Sequence, residues 1–188
     1  DGAKTPPITP GALDVLGIVG LDEKAGWLYF VASPDHPTQR YLYRAPISGK
    51  GAAQRLTPAS ASGTNGYDAS PDLRYALHTW SNFESPQTMD LVRLPSHQMV
   101  RPLVKNEALR AKLASLRQGS HEFFQVDIGD GVKLNGWIMK PAGFDPARKY
   151  PILFTVYGGP GSPTVLGSWG GPHFPWHMKP TQKCQFVA

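Results

Sequence analysis

Two six-residue segments of this chain fall into step. Tyr41-Leu42-Tyr43-Arg44-Ala45-Pro46 and Asp90-Leu91-Val92-Arg93-Leu94-Pro95 carry Leu, Arg and Pro at matching places, about 49 residues apart. A period of that size marks a stacked supersecondary unit such as a propeller blade, because one such unit cannot bury its own faces and must lean on copies of itself. The turn ahead of each segment supports the match: Leu21-Asp22-Glu23-Lys24-Ala25-Gly26-Trp27 in one case, Ser70-Pro71-Asp72-Leu73-Arg74-Tyr75 in the other. At least three units are expected of a stable stack, and fewer than three complete ones are present in the sequence.

The local pattern agrees. Strands are expected at residues 13–21, 27–32, 40–47, 54–57, 74–80 and 87–94, the clearest being the aromatic and β-branched run Trp27-Leu28-Tyr29-Phe30-Val31-Ala32. The 20 Gly and 19 Pro keep the strands short and the turns many. Residues 106–116 break this pattern. Asn106 as N-cap, Glu107 in the first turn, and Leu109, Leu113 and Leu116 on one face predict a short helix that Gly119 ends.

A second architecture follows. Residues 121–128 and 132–140 read as strands joined by Gly129-Asp130-Gly131, a hairpin signal. Residues 152–157 are nearly all apolar or β-branched, as in a strand buried on both faces of a mostly parallel sheet. A helix is predicted over 175–183 and a further strand from 185. The expected fold class is mixed: a partial all-β propeller in 1–105, a linker helix in 106–120, and the N-terminal part of an α/β fold in 121–188, cut off early.

Composition removes several function classes. The formal charge of +5 and pI near 9.4 come from scattered Lys and Arg, so a nucleic-acid partner is not expected. The single cysteine, Cys184, forms no intrachain disulfide and makes no metal site alone. His173 and His177 have ligand-like spacing but no following Glu and no third ligand, and Pro172 and Pro175 crowd them. No metal or other cofactor is expected. No stretch approaches the roughly 20 apolar residues that span a bilayer. The first residue is Asp1 rather than Met, so the chain reads as processed or cut from a longer one, and its compartment is left open.

The residue with the strongest chemical potential is Tyr157. The apolar run Pro151-Ile152-Leu153-Phe154-Thr155-Val156 ends in it and breaks at once into Gly158-Gly159-Pro160-Gly161-Ser162. A phenol at a strand end can donate to the oxyanion of a tetrahedral acyl-transfer intermediate, as in an α/β-hydrolase, while Gly158 and Gly159 let the backbone turn sharply beneath it. The alternative is a core tyrosine ahead of an ordinary Gly-rich βα loop. The glycine cluster lacks the last Gly of a dinucleotide fingerprint and the Gly-Lys-Ser/Thr ending of a P-loop. Ser162 and Ser168 both lack the preceding Gly of a nucleophile elbow. His36, His78, His97 and His121 stand alone in the sequence and read as structural. Glu84 and Glu122 have no paired carboxylate.

These residues resemble the prolyl oligopeptidase superfamily of serine peptidases, in its dipeptidyl peptidase IV branch. The resemblance runs through Arg40-Tyr41-Leu42-Tyr43-Arg44, Glu122-Phe123-Phe124, Leu134-Asn135-Gly136-Trp137 and Phe144-Asp145-Pro146, and is most specific at Val156-Tyr157-Gly158-Gly159-Pro160-Gly161-Ser162. It implies the last blades of a propeller followed by the start of an α/β-hydrolase domain, with Tyr157 as side-chain oxyanion donor. It also implies a Ser-Asp-His triad, a pocket for Pro or Ala beside the cut bond, and glutamates that hold the free amino terminus of a peptide substrate. None of those other parts is expected within these residues, so the chain alone is expected to be inactive. The implied parent is a dipeptide-removing exopeptidase, and both a homodimer and a periplasmic or secreted location are open for it. An acylaminoacyl peptidase and a catalytically dead propeller used as a binding module are the alternatives.

Overall fold

The computed structural model describes residues 7–9, 13–116, 119–154, 156 and 163–170, together with the backbone of 185–187. The repeat reads directly in the structure. β1 (Val15–Asp22), β2 (Trp27–Ala32), β3 (Tyr41–Pro46) and β4 (Gln54–Arg55) form one antiparallel four-stranded meander in sequence order. β5 (Thr64–Ala69), β6 (Tyr75–Ser81), β7 (Thr88–Arg93) and β8 (Gln98–Val104) form a second. The first strands of the two sheets start about 49 residues apart, the same offset as the sequence match. The repeated arginine does the same work in both. Arg44 lies over the Trp27 ring at 4.1 Å and Arg93 over the Tyr75 ring at 5.4 Å, each reaching back from a third strand to a second.

The two meanders stack through Tyr29 and Leu42 of the first and Leu73, Ala76, Val92 and Leu94 of the second. On its other face the first sheet buries Phe30, Ala32, Tyr41, Tyr43 and Ala45, with Ile8 and Leu13 packed against them. β2 and β3 are therefore covered on both sides, which explains why their sequences are apolar without alternation. Each fully buried side chain of this size, Phe30 or Leu42, contributes about 1.5–3 kcal/mol. The sheets are also tied at an edge by a parallel bridge between Arg40 and Thr64, where the Arg40 amide donates to the Gly63 carbonyl at 2.9 Å.

The sequence does not announce β5 or β8. β5 reads Thr-Asn-Gly-Tyr-Asp-Ala, rich in residues that strands usually exclude, and it holds its place through partners rather than propensity. β8 contains Pro102, which a strand tolerates at a sheet edge, and β8 is such an edge. The helix α1 (Glu107–Ala114) forms as expected with Asn106 at its N-cap position, but the Asn106 side chain makes no capping bond. Asn106 adopts a left-handed conformation (φ 54°) and donates its side-chain N–H to the Gln87 carbonyl at 2.6 Å instead, pinning the helix start to the turn before β7. Leu113 is buried while Leu109 and Leu116 stay exposed, so the expected apolar face is only partly used.

A third sheet contains β9 (His121–Asp127), β10 (Lys133–Met139), β11 (Ile152–Phe154) and β12 (Gln185–Val187), in the order β11-β12-β10-β9. β9 and β10 form the expected hairpin, with positive φ at Gly129, Asp130 and Gly131 in succession. β12 pairs antiparallel with β10 and parallel with β11, so the sheet is mixed. Among the described residues β11 covers Ile152–Phe154, and Ile152, Leu153, Phe154 and Val156 are exposed rather than buried on both faces. No layer among the described residues covers them. The helix predicted over 175–183 lies outside those residues. The third sheet meets the second where Trp137 and Val165 are buried together with Phe83 and Met139 against them.

Candidate active-site loop and its supports

Tyr157, Gly158 and Gly159 lie outside the described residues, as do Ser162, His173, His177 and Cys184. The chain on either side of that turn is described, and both flanks are held. Before it, β11 pairs with β12 in the third sheet. After it, residues 163–170 run across the ends of the first two sheets. Val165 packs on Trp137, with 7 % of its surface exposed. The Gly167 amide donates to the Thr38 carbonyl at 2.7 Å. The Thr64 hydroxyl donates to the Gly167 carbonyl at 3.2 Å, and the Trp169 amide donates to the Ser81 hydroxyl at 3.2 Å.

Thr64 and Ser81 are cross-strand partners at the end of the β5–β6 hairpin, so one register position supplies both hydroxyls. Gly63 lets the chain come this close. Its φ is 128°, and a Cβ there would meet the Ser81 carbonyl oxygen at 2.3 Å. Gly167 in turn sits against Thr38, Gln39 and Gly63. Ser168 lies on this segment as a half-buried loop serine with no strand-to-helix turn around it. A polar side-chain pair and a ring contact stand beside the same junction. His121 faces Glu84 at 3.6 Å and packs on Phe83 with ring centroids 4.4 Å apart. Glu122 pairs with Lys140 at 2.6 Å, so each of these carboxylates has a cationic or titratable partner and neither faces another acid.

The histidines that look isolated in the sequence are not all isolated in space. His78 and His97 contact each other edge to face with centroids 4.8 Å apart, and Tyr67 stacks on His78 at the same distance. A hydrogen bond fixes the proton on His78. Asn65 spends its amide N–H groups on the carbonyls of Arg40 and Ala61, so its oxygen must accept, and His78 Nε2–H donates to it at 2.8 Å. His97 Nε2 shares a hydrogen bond of 2.8 Å with the Tyr67 hydroxyl. The Tyr67 and Thr57 hydroxyls share another at 2.8 Å, and the Thr57 hydroxyl accepts the Leu42 amide at 2.7 Å.

This chain of polar groups links the first sheet to the second. Burial lowers the His78 pKa to about 4, with His97 adding repulsion, and burial also lowers His97. Both rings are neutral at physiological pH. Burial raises the Tyr67 hydroxyl pKa. A cavity of about 250 Å³ opens beside them, lined by Trp80, Asp90, Val92 and Met99 among others. Among the described residues no cluster of three or more His, Cys, Asp or Glu is arranged to hold a metal ion. The row Tyr67, His78, Asp90 is set by β-sheet register, which no sequence spacing reveals.

Comparison with known proteins places this architecture. Residues 1–87 match the family described as the dipeptidyl peptidase IV (DPP IV) N-terminal region. Dipeptidyl peptidase 4 of Trichophyton equinum is 29 % identical over 197 residues, covering all of this chain and 24 % of the relative. Dipeptidyl peptidase 4 of Trichophyton rubrum is 27 % identical over 190 residues with the same coverage. The crystal structure of Porphyromonas gingivalis dipeptidyl peptidase 4 superimposes with a TM-score of 0.85 at 28 % identity, over 99 % of this chain and 26 % of that one. Along its length the chain is similar to proteins named dipeptidyl peptidase 4, and its first 87 residues match the N-terminal region model of that family. It spans about a quarter of the length of the curated relatives it matches. No helix of the described residues is long and apolar enough to cross a membrane.

Proposed function

We propose that this chain is part of a serine exopeptidase that removes Xaa-Pro or Xaa-Ala dipeptides from peptide N-termini through an acyl-enzyme. The observation that carries the reading is the match to dipeptidyl peptidases along the whole chain, including the segment Val156-Tyr157-Gly158-Gly159-Pro160-Gly161-Ser162. In this reading residues 1–105 are propeller blades, 106–120 a linker, and 121–188 the start of the hydrolase domain. Two stacked four-stranded meanders fit the first assignment. A hairpin leading into a parallel strand pair fits the last.

The chemistry follows from acyl transfer. A serine outside these 188 residues attacks the carbonyl of the second substrate residue, and the carbonyl oxygen becomes an oxyanion. The Tyr157 hydroxyl donates a hydrogen bond to that oxygen, an interaction stronger in the transition state than in the bound substrate. The amine leaves with a proton from the triad histidine, and water then releases the dipeptide.

The test uses the full-length gene product and a glycyl-prolyl chromogenic substrate. Turnover is expected, with Tyr157→Phe lowering kcat by about 100–1,000-fold and leaving KM nearly unchanged. The 188-residue chain alone, which contains no Gly-x-Ser-x-Gly segment, is expected to give no turnover. A full-length protein with no peptidase activity would instead favour a propeller-type binding module. An unchanged kcat in Tyr157→Phe would remove Tyr157 from the site.

A further inference from the structure

We propose that the cavity beside His78 and His97 is a binding site for a small organic cation, a protonated amine that carries one aromatic ring. Residues of the first two sheets and of the loop joining them build it. Its floor follows the sheet register. His78 of β6 stands opposite Asp90 of β7, Trp80 opposite Thr88, and Val92 of β7 opposite Met99 of β8. Alternate residues of a strand share one face, so these positions present one continuous surface. Pro58 and Ala61, from the loop between β4 and β5, close the far wall.

The walls are fixed before any ligand arrives. The Trp80 indole N–H donates to the Ser62 carbonyl at 3.0 Å. His78 is held by its bond to Asn65 and by the Tyr67 ring stacked on it. His97 shares its hydrogen bond with Tyr67 from a left-handed backbone conformation (φ 54°) that a residue with a side chain rarely adopts. A preformed wall loses little freedom on binding. The cavity measures about 250 Å³, and about 150 Å³ is enough to hold a benzene ring. The remaining space suits a short carbon arm and an ammonium group.

Charge decides the class of ligand. Asp90 supplies the only carboxylate among the described residues that line the cavity. It is half-buried, and among the described residues its carboxylate has no hydrogen bond and no ion pair. The imidazoles beside it are neutral at physiological pH, because burial lowers the pKa of both. An ammonium supplies the missing counter-charge through charge-assisted hydrogen bonds, while its ring lies against Trp80, Val92 and Met99. Thr88, Asp90 and Met99 also border a second hollow, of about 400 Å³, that continues to Lys105, Glu107 and Arg110. Lys105 is paired with Glu107 at 3.5 Å and Arg110 is exposed, so solvent screens both cations from Asp90. The ammonium therefore sits where the two hollows join, with the ring on the Trp80 side.

Isothermal titration calorimetry of the full-length protein with 2-phenylethylammonium chloride at neutral pH tests the proposal. The sodium salt of 3-phenylpropionate serves as the ligand of matching shape and opposite charge. Saturable binding of the cation to a single site is expected, and none of the anion. Asp90→Asn should weaken binding about 10- to 100-fold, the worth of one charge-assisted contact. Trp80→Leu should weaken it about fivefold through loss of the ring face. Asp130→Asn, the same charge change in the exposed turn between β9 and β10, should stay within about twofold of wild type, the effect of a remote, screened charge. Urea unfolding of each variant reports whether it folds, and Trp80→Leu carries the test should Asp90→Asn fail to do so. No saturable binding to the wild type, wild-type affinity in Asp90→Asn or in Trp80→Leu, or equal affinity for 3-phenylpropionate would overturn the proposal.

Discussion

Gly63 carries a backbone requirement that no other residue meets. At φ 128° an L side chain is strained, and its Cβ would strike the Ser81 carbonyl and the Asn82 side chain. Gly63→Ala is expected to destabilise the protein by at least about 1–3 kcal/mol, read as a lower denaturant midpoint at unchanged slope. His78 sets a pH dependence of the opposite kind, one that leaves the fold intact at neutrality. Its folded pKa, about 4, lies below the ordinary 6.5, so the unfolded chain takes up the proton first. Stability is full above about pH 6.5, falls as the pH drops towards about 4, and levels below that. The loss is at most about 3 kcal/mol. His97, lowered for the same reason, adds with the same sign. Urea unfolding from pH 7 to 4 should show this slope, and His78→Gln should flatten it.

Between residues and whole sheets, the repeat is the part most legible in the sequence. The matched Leu and Arg positions fall on β3 and β7, the third strand of each meander, with Pro46 closing β3 and Pro95 just beyond β7, and both arginines cover an aromatic ring of the second strand. β5 was hidden because its Asn, Gly and Asp serve partners instead of propensity: Asn65, 2 % exposed, spends its side chain on Arg40, Ala61 and His78. Asn106 sits at the N-cap position, but its side chain bonds the turn before β7, a choice made by tertiary contact. Trp137 is the element-level joint between the third sheet and the turn at Phe83. Trp137→Ala is expected to cost about 3–5 kcal/mol and to open the β9–β10 hairpin to protease before the first two sheets are cut. Limited proteolysis followed by mass mapping measures the order of cleavage.

Across the whole molecule, burial is uneven. β2, β3, β6 and β7 carry most of the core, whereas β9 and β11 expose Phe123, Val126, Ile152 and Phe154. Amide exchange should follow that distribution, slowest in β2, β3, β6 and β7 and fastest in β9 and β11. Equal protection in β9 and β2 would contradict it. The sequence alone determined the repeat, most of the strands, the Gly129-Asp130-Gly131 hairpin and the family resemblance, because these depend on local propensity, turn chemistry and motif, all of which act over a few neighbouring residues. Only the tertiary structure decided that His78 and His97 meet, that β5 is a strand, and that Thr64 and Ser81 hold the chain beyond Tyr157. Those contacts join residues up to about a hundred positions apart through sheet register and backbone hydrogen bonds to carbonyl and amide groups, which every residue carries and no sequence pattern marks.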